Sequence, residues 1–266
     1  MSSYSIIEIP SFGIGTYTIT GEKCTNYVYN ALTTHKCKLI DTAELYNNQI
    51  DIGNGIKLAI NEQIISREDI WITSKIHNRD QRKLNIGPGI NKIIKDLDVE
   101  YIDLILLHSA QKNYVEAYSE LIRLKSHFNI RHIGTSNFRI DELENIINST
   151  NIKPYLNQIE ISPFLQRNNL RSFMNTHSII IQAYSSLTCR KGLEHEKLNH
   201  QIYRPDELLL GWAKYYNLKP IPTSHNLEEL NLNYQTFNNL NLNLEDVQLL
   251  DSITDKIINY KQHDDN

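Results

Sequence analysis

Short apolar runs recur along the whole chain, and a longer stretch with helical spacing separates each run from the next. Eight runs occur in the order FGIGTY, KLID, IWITSK, YIDLILLHS, IRHIGTSN, YLNQIE, SIIIQAYSS and LKPIPTS. Between the second and third runs, Ile52, Ile56, Ala59 and Ile60 recur at the intervals of one helix face. Strands that alternate with helices form parallel sheets, and near-continuous apolar strands are covered on both faces.

Eight strand–helix units in 266 residues are the number and size typical of a (β/α)8 TIM barrel. The predicted fold class is therefore α/β, with residues 1–266 forming one barrel domain that ends in a short polar tail at about 260–266. That tail is too short to predict a long C-terminal lid. A doubly wound sheet is the alternative, but no G-x-G-x-x-G turn follows an early strand.

Composition excludes several kinds of partner. A net charge of −4 and a pI near 6.2 argue against nucleic acid or an anionic membrane surface. No segment approaches the roughly 20 apolar residues of a membrane span, and the N-terminal residues lack the pattern of a signal peptide. Cys24, Cys37 and Cys189 are scattered without metal-ligand spacing, so we expect reduced thiols and no metal site. We expect a cytoplasmic monomer.

Polar residues end the apolar runs. The carboxyl ends of barrel strands form the active face, so these side chains are expected to converge on one pocket. Any one of them alone is usually the start of a loop. They are Asp41, Lys75, His108, Ser136, Asn137, Gln158, Tyr184 and Ser224.

Three residues of this set, Asp41, Lys75 and His108, point to one kind of chemistry together with the nearby Tyr46. A tyrosine has an ordinary pKa of about 10, and a lysine cation in contact lowers it by favouring the phenolate. Asp41 would keep Lys75 charged beside Tyr46, and His108 would donate a hydrogen bond to a substrate oxygen. The set suits protonation of an oxygen that gains charge as hydride reaches a carbonyl carbon. We therefore expect a small-molecule carbonyl substrate.

The segments LIDTAELYNNQIDIG, RHIGTSNF, LNQIEISPFLQ and QAYSSL together resemble the signatures of the aldo-keto reductases, and the resemblance runs over nearly the whole chain. It implies an oxidoreductase that uses NADPH or NADH to reduce aldehydes or ketones. The implied catalytic tetrad is Asp41, Tyr46, Lys75 and His108, with Tyr46 as the general acid.

The resemblance also implies a cofactor site and a substrate site. Ser136, Asn137 and Gln158 would hold the nicotinamide carboxamide, and Tyr184 would stack on the ring. Another interpretation of the TSN segment is that Ser and Asn cap the following helix. The implied cofactor residues are Thr16, Asp41, Ser136, Asn137, Gln158, Tyr184, Ser185, Leu187, Ser224 and Asn233. The implied substrate residues are Tyr17, Tyr46, His108 and Ser109.

The segment IPTSHNLEELNLN departs from the family pattern where the 2′-phosphate of NADPH is normally held. Thr223 replaces a lysine and Glu229 replaces an arginine, so the chain is expected to discriminate weakly against NADH. Arg190, Lys191 and His225 are other cations that could serve instead.

Two further departures lie in the family signatures, where Gln49 replaces a glutamate and Thr135 replaces an aliphatic residue. Two others concern the substrate pocket. Ser109 replaces a common aromatic residue, and Tyr17 replaces a common tryptophan.

Three alternatives to a working reductase remain open from sequence. One is a regulatory subunit that binds cofactor, although such subunits usually carry an N-terminal extension. Another is a degenerate enzyme that keeps the tetrad without significant turnover. The last is a lyase that forms a Schiff base with Lys75, which would need a neutral lysine that Asp41 opposes.

Overall fold

A computed structural model describes residues 8–188, 203–224 and 226–253 of the chain. Within these ranges the strands are β1 (Gly13–Gly15), β2 (Leu39–Asp41), β3 (Trp71–Ile76), β4 (Ile102–Leu107), β5 (Ile130–Ser136), β6 (Leu156–Glu160) and β7 (Ile180–Tyr184). The α-helices are α1 (Gly21–Thr33), α2 (Gln49–Asn61), α3 (Asn78–Arg82), α4 (Ile86–Leu97), α5 (Tyr114–Leu124), α6 (Ile140–Thr150), α7 (Asn168–Thr176), α8 (Pro205–Tyr215), α9 (Leu227–Asn239) and α10 (Leu244–Asp251). Cys189, Arg190, Lys191, His225 and the tail at 260–266 lie outside the described residues.

Each strand pairs in parallel with the next strand along the chain, so the sheet order is β1 to β7 without a crossover. In this register Gly15 lies beside Asp41, and Gln158 lies beside Gln182. A parallel sheet in sequence order with helices outside is the (β/α)8 architecture, so the predicted fold class is confirmed.

The eighth apolar run closes the ring without forming a regular strand. Its two prolines lack backbone N–H groups and therefore cannot donate to a neighbouring strand. Instead, the carbonyls of Pro220 and Pro222 accept from Gly13 N and Gly15 N, and Ile221 N donates to Ala183 O of β7. The segment thus bridges β7 and β1 through the few hydrogen bonds that its sequence permits.

The predicted helix faces are buried as expected. In α2, Ile52, Ile56 and Ala59 pack into the core, while Ile60 is half-buried. Pro205 occupies the first turn of α8, where a missing N–H is tolerated. None of the helices in the part of the chain that the structure describes is long and apolar enough to span a membrane.

Inside the barrel, apolar side chains fill the layers below the carboxyl ends of the strands. This inner cluster consists of Ile9, Leu39, Trp71, Leu104, Leu106, Leu156 and Ile221. A larger cluster packs the outer faces of the strands against the helices. With both faces of the sheet filled, the space for a ligand lies at the carboxyl ends.

Candidate active site

The carboxyl ends of the strands surround a cavity of about 430 Å³. Predicted residues from several strands and loops share its wall, including Asp41, Tyr46, His108, Asn137, Gln158 and Tyr184. Lys75 lies directly beneath the wall and is only 1% exposed. The barrel therefore brings together predicted residues that are as far apart in sequence as Thr16 and Leu187.

Lys75 is held by three oxygen atoms. Its ammonium Nζ lies 2.6 Å from Asp41 Oδ1, 3.0 Å from the carbonyl oxygen of Thr42 and 3.2 Å from Tyr46 OH. Burial alone would lower the pKa of Lys75, but Asp41 and Tyr46 raise it above the ordinary value. Because the ammonium donates to the phenol oxygen, the phenol hydrogen of Tyr46 is left to point towards the cavity.

The pKa of Tyr46 differs from the sequence-based expectation. Burial raises the pKa of the phenol, and the nearby charge of Lys75 opposes that effect without cancelling it. The predicted lowering by Lys75 is therefore present, but desolvation outweighs it. Tyr46 is held as a protonated phenol at neutral pH.

His108 faces Tyr46 from the end of β4. Their rings meet edge to face with centroids 6.1 Å apart. Burial and the charge of Lys75 lower the pKa of His108 to about 3. The imidazole is therefore neutral, with one N–H to donate and no positive charge of its own.

The loop that carries Tyr46 is fixed by a buried asparagine. Tyr46 ends a single 3₁₀ turn (Glu44–Tyr46) that is separated from the end of β2 by two residues. Asn48 Nδ2 donates to the backbone carbonyls of Thr16 and Ile19, and Asn48 Oδ1 accepts from Thr42 Oγ1. These bonds tie the Tyr46 loop to the loop after β1.

On the opposite wall, Ser136, Asn137 and Gln158 form a connected polar group. Gln158 Nε2 donates to Asp41 Oδ2 at 2.6 Å, and Ser136 Oγ donates to the backbone carbonyl of Gln158. Asn137 Nδ2 donates to His108 O and to Ser136 Oγ, while Asn137 Oδ1 accepts from Tyr184 OH at 2.6 Å. The N–H and O–H donors of these three side chains are thus already used in hydrogen bonds. A ligand in the cavity would meet mainly their acceptor oxygens.

Such an acceptor-rich group fits the N–H₂ end of a carboxamide. The same cavity continues along Ser185, Leu187 and Thr188 to Thr223, which gives room for an extended dinucleotide. The residues present therefore fit a nicotinamide cofactor.

Ser136 and Asn137 do not cap the next helix. α6 begins at Ile140 with Arg139 as its N-cap residue, so the capping interpretation is wrong. Asn137 adopts φ of +60°, a left-handed conformation that asparagine tolerates better than most residues. This turn directs the amide of Asn137 back towards the strand ends.

The remaining predicted residues lie at different distances from the tetrad. Thr16 Oγ1 donates to the backbone carbonyl of Asp41, and the ring of Tyr17 lies 5.0 Å from that of Tyr46. Ser109 donates to Asn78 Oδ1 and is not part of the cavity wall.

Ser224 and Asn233 are joined to each other and are fully buried. Asn233 Nδ2 lies 3.3 Å from Ser224 Oγ. Ser224 lines a second cavity, of about 360 Å³, that also contacts Lys23 and Asn226. Thr223, the residue before it, lines the main cavity, so consecutive residues of this segment border the two cavities.

Two residues of the site escaped the sequence-based prediction. Gln182 is fully buried beside Gln158, and Glu160 lines the cavity two positions after it. Burial raises the pKa of Glu160, and Arg167 opposes that effect. The signal for Gln182 was present, because it is the only strongly polar residue within SIIIQAY and shares a strand face with Tyr184.

The fold and the site define a barrel oxidoreductase. A sequence model described as "Aldo/keto reductase family" matches residues 11–197. The uncharacterized oxidoreductase YtbE of Bacillus subtilis is 31% identical over 257 residues, covering 94% of this chain and 91% of that protein. The glyoxal reductase of the same organism is 30% identical and covers 93% and 90%.

A solved structure agrees with these sequence relatives. The aldo/keto reductase from Brucella melitensis superposes with a TM-score of 0.83 at 30% identity, covering 92% of this chain and 94% of that one. The chain belongs to the aldo/keto reductase family. It is an NAD(P)H-dependent oxidoreductase, so the class predicted from sequence is confirmed.

Proposed function

We propose that this protein reduces aldehydes or ketones to alcohols with Tyr46 as the general acid. The observation that carries the proposal is the contact between Lys75 and Tyr46, in which the ammonium donates to the phenol oxygen at 3.2 Å. That contact leaves the phenol proton available on the cavity side and stabilises the phenolate that remains after transfer.

Ser136, Asn137 and Gln158 would hold a reduced nicotinamide, which would supply the hydride for the carbonyl carbon. The N–H of neutral His108 holds the carbonyl oxygen near Tyr46, because both rings border the same cavity. Tyr46 gives its proton to that oxygen as negative charge develops there. Lys75, kept charged by Asp41, stabilises the resulting phenolate until solvent returns a proton.

The same geometry argues against Schiff-base chemistry at Lys75. A Schiff-base lysine must be neutral to attack a carbonyl. Here Asp41 and Tyr46 raise the pKa of Lys75, and the ammonium is enclosed by three oxygen acceptors. The lyase alternative is therefore not supported.

We further propose weak discrimination between NADH and NADPH. A 2′-phosphate carries close to two negative charges near neutrality and needs facing cations. Thr223 borders the main cavity without a charge. Glu229 lies in the first turn of α9, and the N-cap residue of that helix, Asn226, lines the same second cavity as Ser224. Glu229 would thus repel a phosphate at Ser224.

We also propose a single-domain monomer in a reducing compartment such as the cytoplasm. Cys24 and Cys37 are buried free thiols, and burial raises the pKa of each to about 12. Such thiols are poor nucleophiles and suit a structural role. Size-exclusion chromatography with light scattering would test the monomer.

Tyr46→Phe is the direct test of the proposed reaction. We expect NAD(P)H-dependent reduction of short aldehydes to fall about 10²- to 10⁴-fold, because a positioned acid supplies that much. Cofactor affinity, measured by quenching of protein fluorescence, should remain close to that of the unmodified protein. Tyr215→Phe, at an exposed position on α8, is the matched control and should keep full turnover.

Two results would contradict the proposal. Equal turnover in the phenylalanine variant would remove Tyr46 from its role. Tight cofactor binding without turnover of any aldehyde or ketone by the unmodified protein would favour the regulatory or degenerate alternative.

A further inference from the structure

Gln182 lies in the barrel interior and takes no part in the reaction proposed above. It is fully buried in β7, directly beside Gln158 in the register of the sheet. Gln158 Nε2 donates to Gln182 Oε1 at 2.7 Å as well as to Asp41 Oδ2. The chain of contacts therefore runs from Lys75 through Asp41 and Gln158 to Gln182.

The orientation of both amides follows from chemistry. A carboxylate can only accept, so the atom of Gln158 that faces Asp41 must be the donor Nε2. The atom of Gln182 that faces this nitrogen must then be the acceptor Oε1. Both hydrogens of Gln158 Nε2 are therefore used in hydrogen bonds. The side chain of Gln158 can then bind a ligand only through its carbonyl oxygen Oε1.

The other end of Gln182 is energetically unfavourable. Among residues 8–188, 203–224 and 226–253, no atom accepts a hydrogen bond from the buried Gln182 Nε2. A buried donor without a partner destabilises a folded protein, whereas an apolar side chain of similar volume would not carry that cost. The Nε2 end of Gln182 thus makes no stabilising contact that would account for a glutamine at this position.

We propose that Gln182 is a positioning residue that acts through Gln158. By accepting one hydrogen of Gln158 Nε2, it prevents the Gln158 amide from rotating and keeps Oε1 directed at the carboxamide N–H₂ of the nicotinamide. Gln182 thereby favours a cofactor with a primary amide over one without amide hydrogens. The inference rests on the proposed function, because it concerns the same cofactor.

Three dinucleotide probes separate this role from a structural one. NADH carries the amide, reduced 3-acetylpyridine adenine dinucleotide carries an acetyl group without N–H, and ADP-ribose lacks the pyridine ring altogether. Dissociation constants would be measured for the unmodified protein and for Gln182→Met, which keeps the volume and removes the acceptor.

The unmodified protein should prefer NADH over the acetyl analogue by about three- to tenfold, the range of one net hydrogen bond. In Gln182→Met this preference should fall to within about twofold, while the affinity for ADP-ribose stays unchanged. Gln182→Glu, which keeps an acceptor oxygen at the same place, should restore the preference.

Gln49→Met provides the matched control. Gln49 is also buried, donates only to Ser74 Oγ, and has an Oε1 without a partner among the described residues. Its substitution should change stability but leave the ratio of the two dinucleotide affinities as it is. If Gln182→Met does not fold, Gln182→Asn replaces it, since the shorter side chain withdraws the acceptor.

The inference is overturned if Gln182→Met keeps the original preference, if it weakens ADP-ribose by the same factor, or if the unmodified protein shows no preference for the amide. A protein that binds neither dinucleotide and reduces no carbonyl compound would instead refute the proposed function, and the inference with it.

Discussion

The ammonium nitrogen of Lys75 lies 3.2 Å from the hydroxyl oxygen of Tyr46, and the lysine is removed almost completely from water. In such surroundings a charge acts strongly on a neighbouring group, because little solvent screens it. Burial pushes the pKa of Tyr46 up while Lys75 pushes it down. The balance between these two effects sets how readily the phenol gives up its proton.

Lys75→Met should weaken catalysis through the pKa of Tyr46. Without the cation, burial and Asp41 would both raise that pKa further, so a weaker acid remains. The alkaline limb of the kcat profile should move upward by about one pH unit or more, and each unit corresponds to about 1.4 kcal/mol. Lys57→Met, on the surface of α2, is the control. An unmoved limb with residual activity would contradict the electrostatic role of Lys75.

His108 should make stability depend on pH. The unfolded chain has a histidine pKa near 6.5, whereas burial lowers that of folded His108 to about 3. Between these values the unfolded state binds the proton and the folded state does not, so the free energy of unfolding decreases as pH falls from 6.5 towards 3. His108→Gln should remove up to about 1.4 kcal/mol of this loss per pH unit.

Urea unfolding at pH 6.5 and pH 4.5 would measure the effect. His127→Gln, at an exposed position after α5, serves as control and should keep the slope of the unmodified protein. Parallel slopes for the His108 variant and the unmodified protein would show that the imidazole is not held neutral.

NADPH should bind less than about tenfold more tightly than NADH, a difference below about 1.4 kcal/mol. Thr223→Lys combined with Glu229→Arg should shift the ratio towards NADPH, because both new cations would face the 2′-phosphate. Fluorescence titrations give both dissociation constants, and Glu228→Arg is the neighbouring control. A larger preference for NADPH in the unmodified protein would mean that another cation binds the 2′-phosphate. Lys23, which lines the second cavity, is one described candidate, and Lys23→Met would test it.

Gly15→Ala should destabilise the barrel at its closure. A Cβ at this position would lie 2.7 Å from Thr223 Oγ1 and 2.8 Å from the carbonyl oxygen of Ile221, and the latter belongs to the backbone. We expect a loss of about 1–3 kcal/mol, as for other overpacked sites. Gly87→Ala in α4 meets only ordinary contacts and should be neutral or slightly stabilising. Equal unfolding midpoints for both variants would contradict the account of the closure.

The sequence alone determined the architecture and the candidate tetrad. Apolar strands and amphipathic helices alternate with a period that only a parallel α/β fold satisfies, and the local pattern placed Asp41, Lys75 and His108 at strand ends. Pro205 and the periodic face of α2 likewise follow from residue-level preferences that hold wherever the chain folds.

Only the tertiary structure decided the features that depend on distance and burial. The direction of the pKa of Tyr46 depends on desolvation, which a local sequence pattern does not encode. The eighth run was expected to be a strand like the others, but Pro220 and Pro222 limit it to a few hydrogen bonds between β7 and β1.

Gln182 illustrates the same limit within the site. A single glutamine in an apolar strand can point to either face, and its meaning depends on a partner 24 positions away. Parallel pairing of β6 with β7 sets Gln158 and Gln182 side by side inside the barrel. Residue types and spacing thus determined which groups the chain carries at its strand ends. Strand pairing and closure of the barrel determined which of them touch, because Asp41 of β2 meets Gln158 of β6 only across the closed ring.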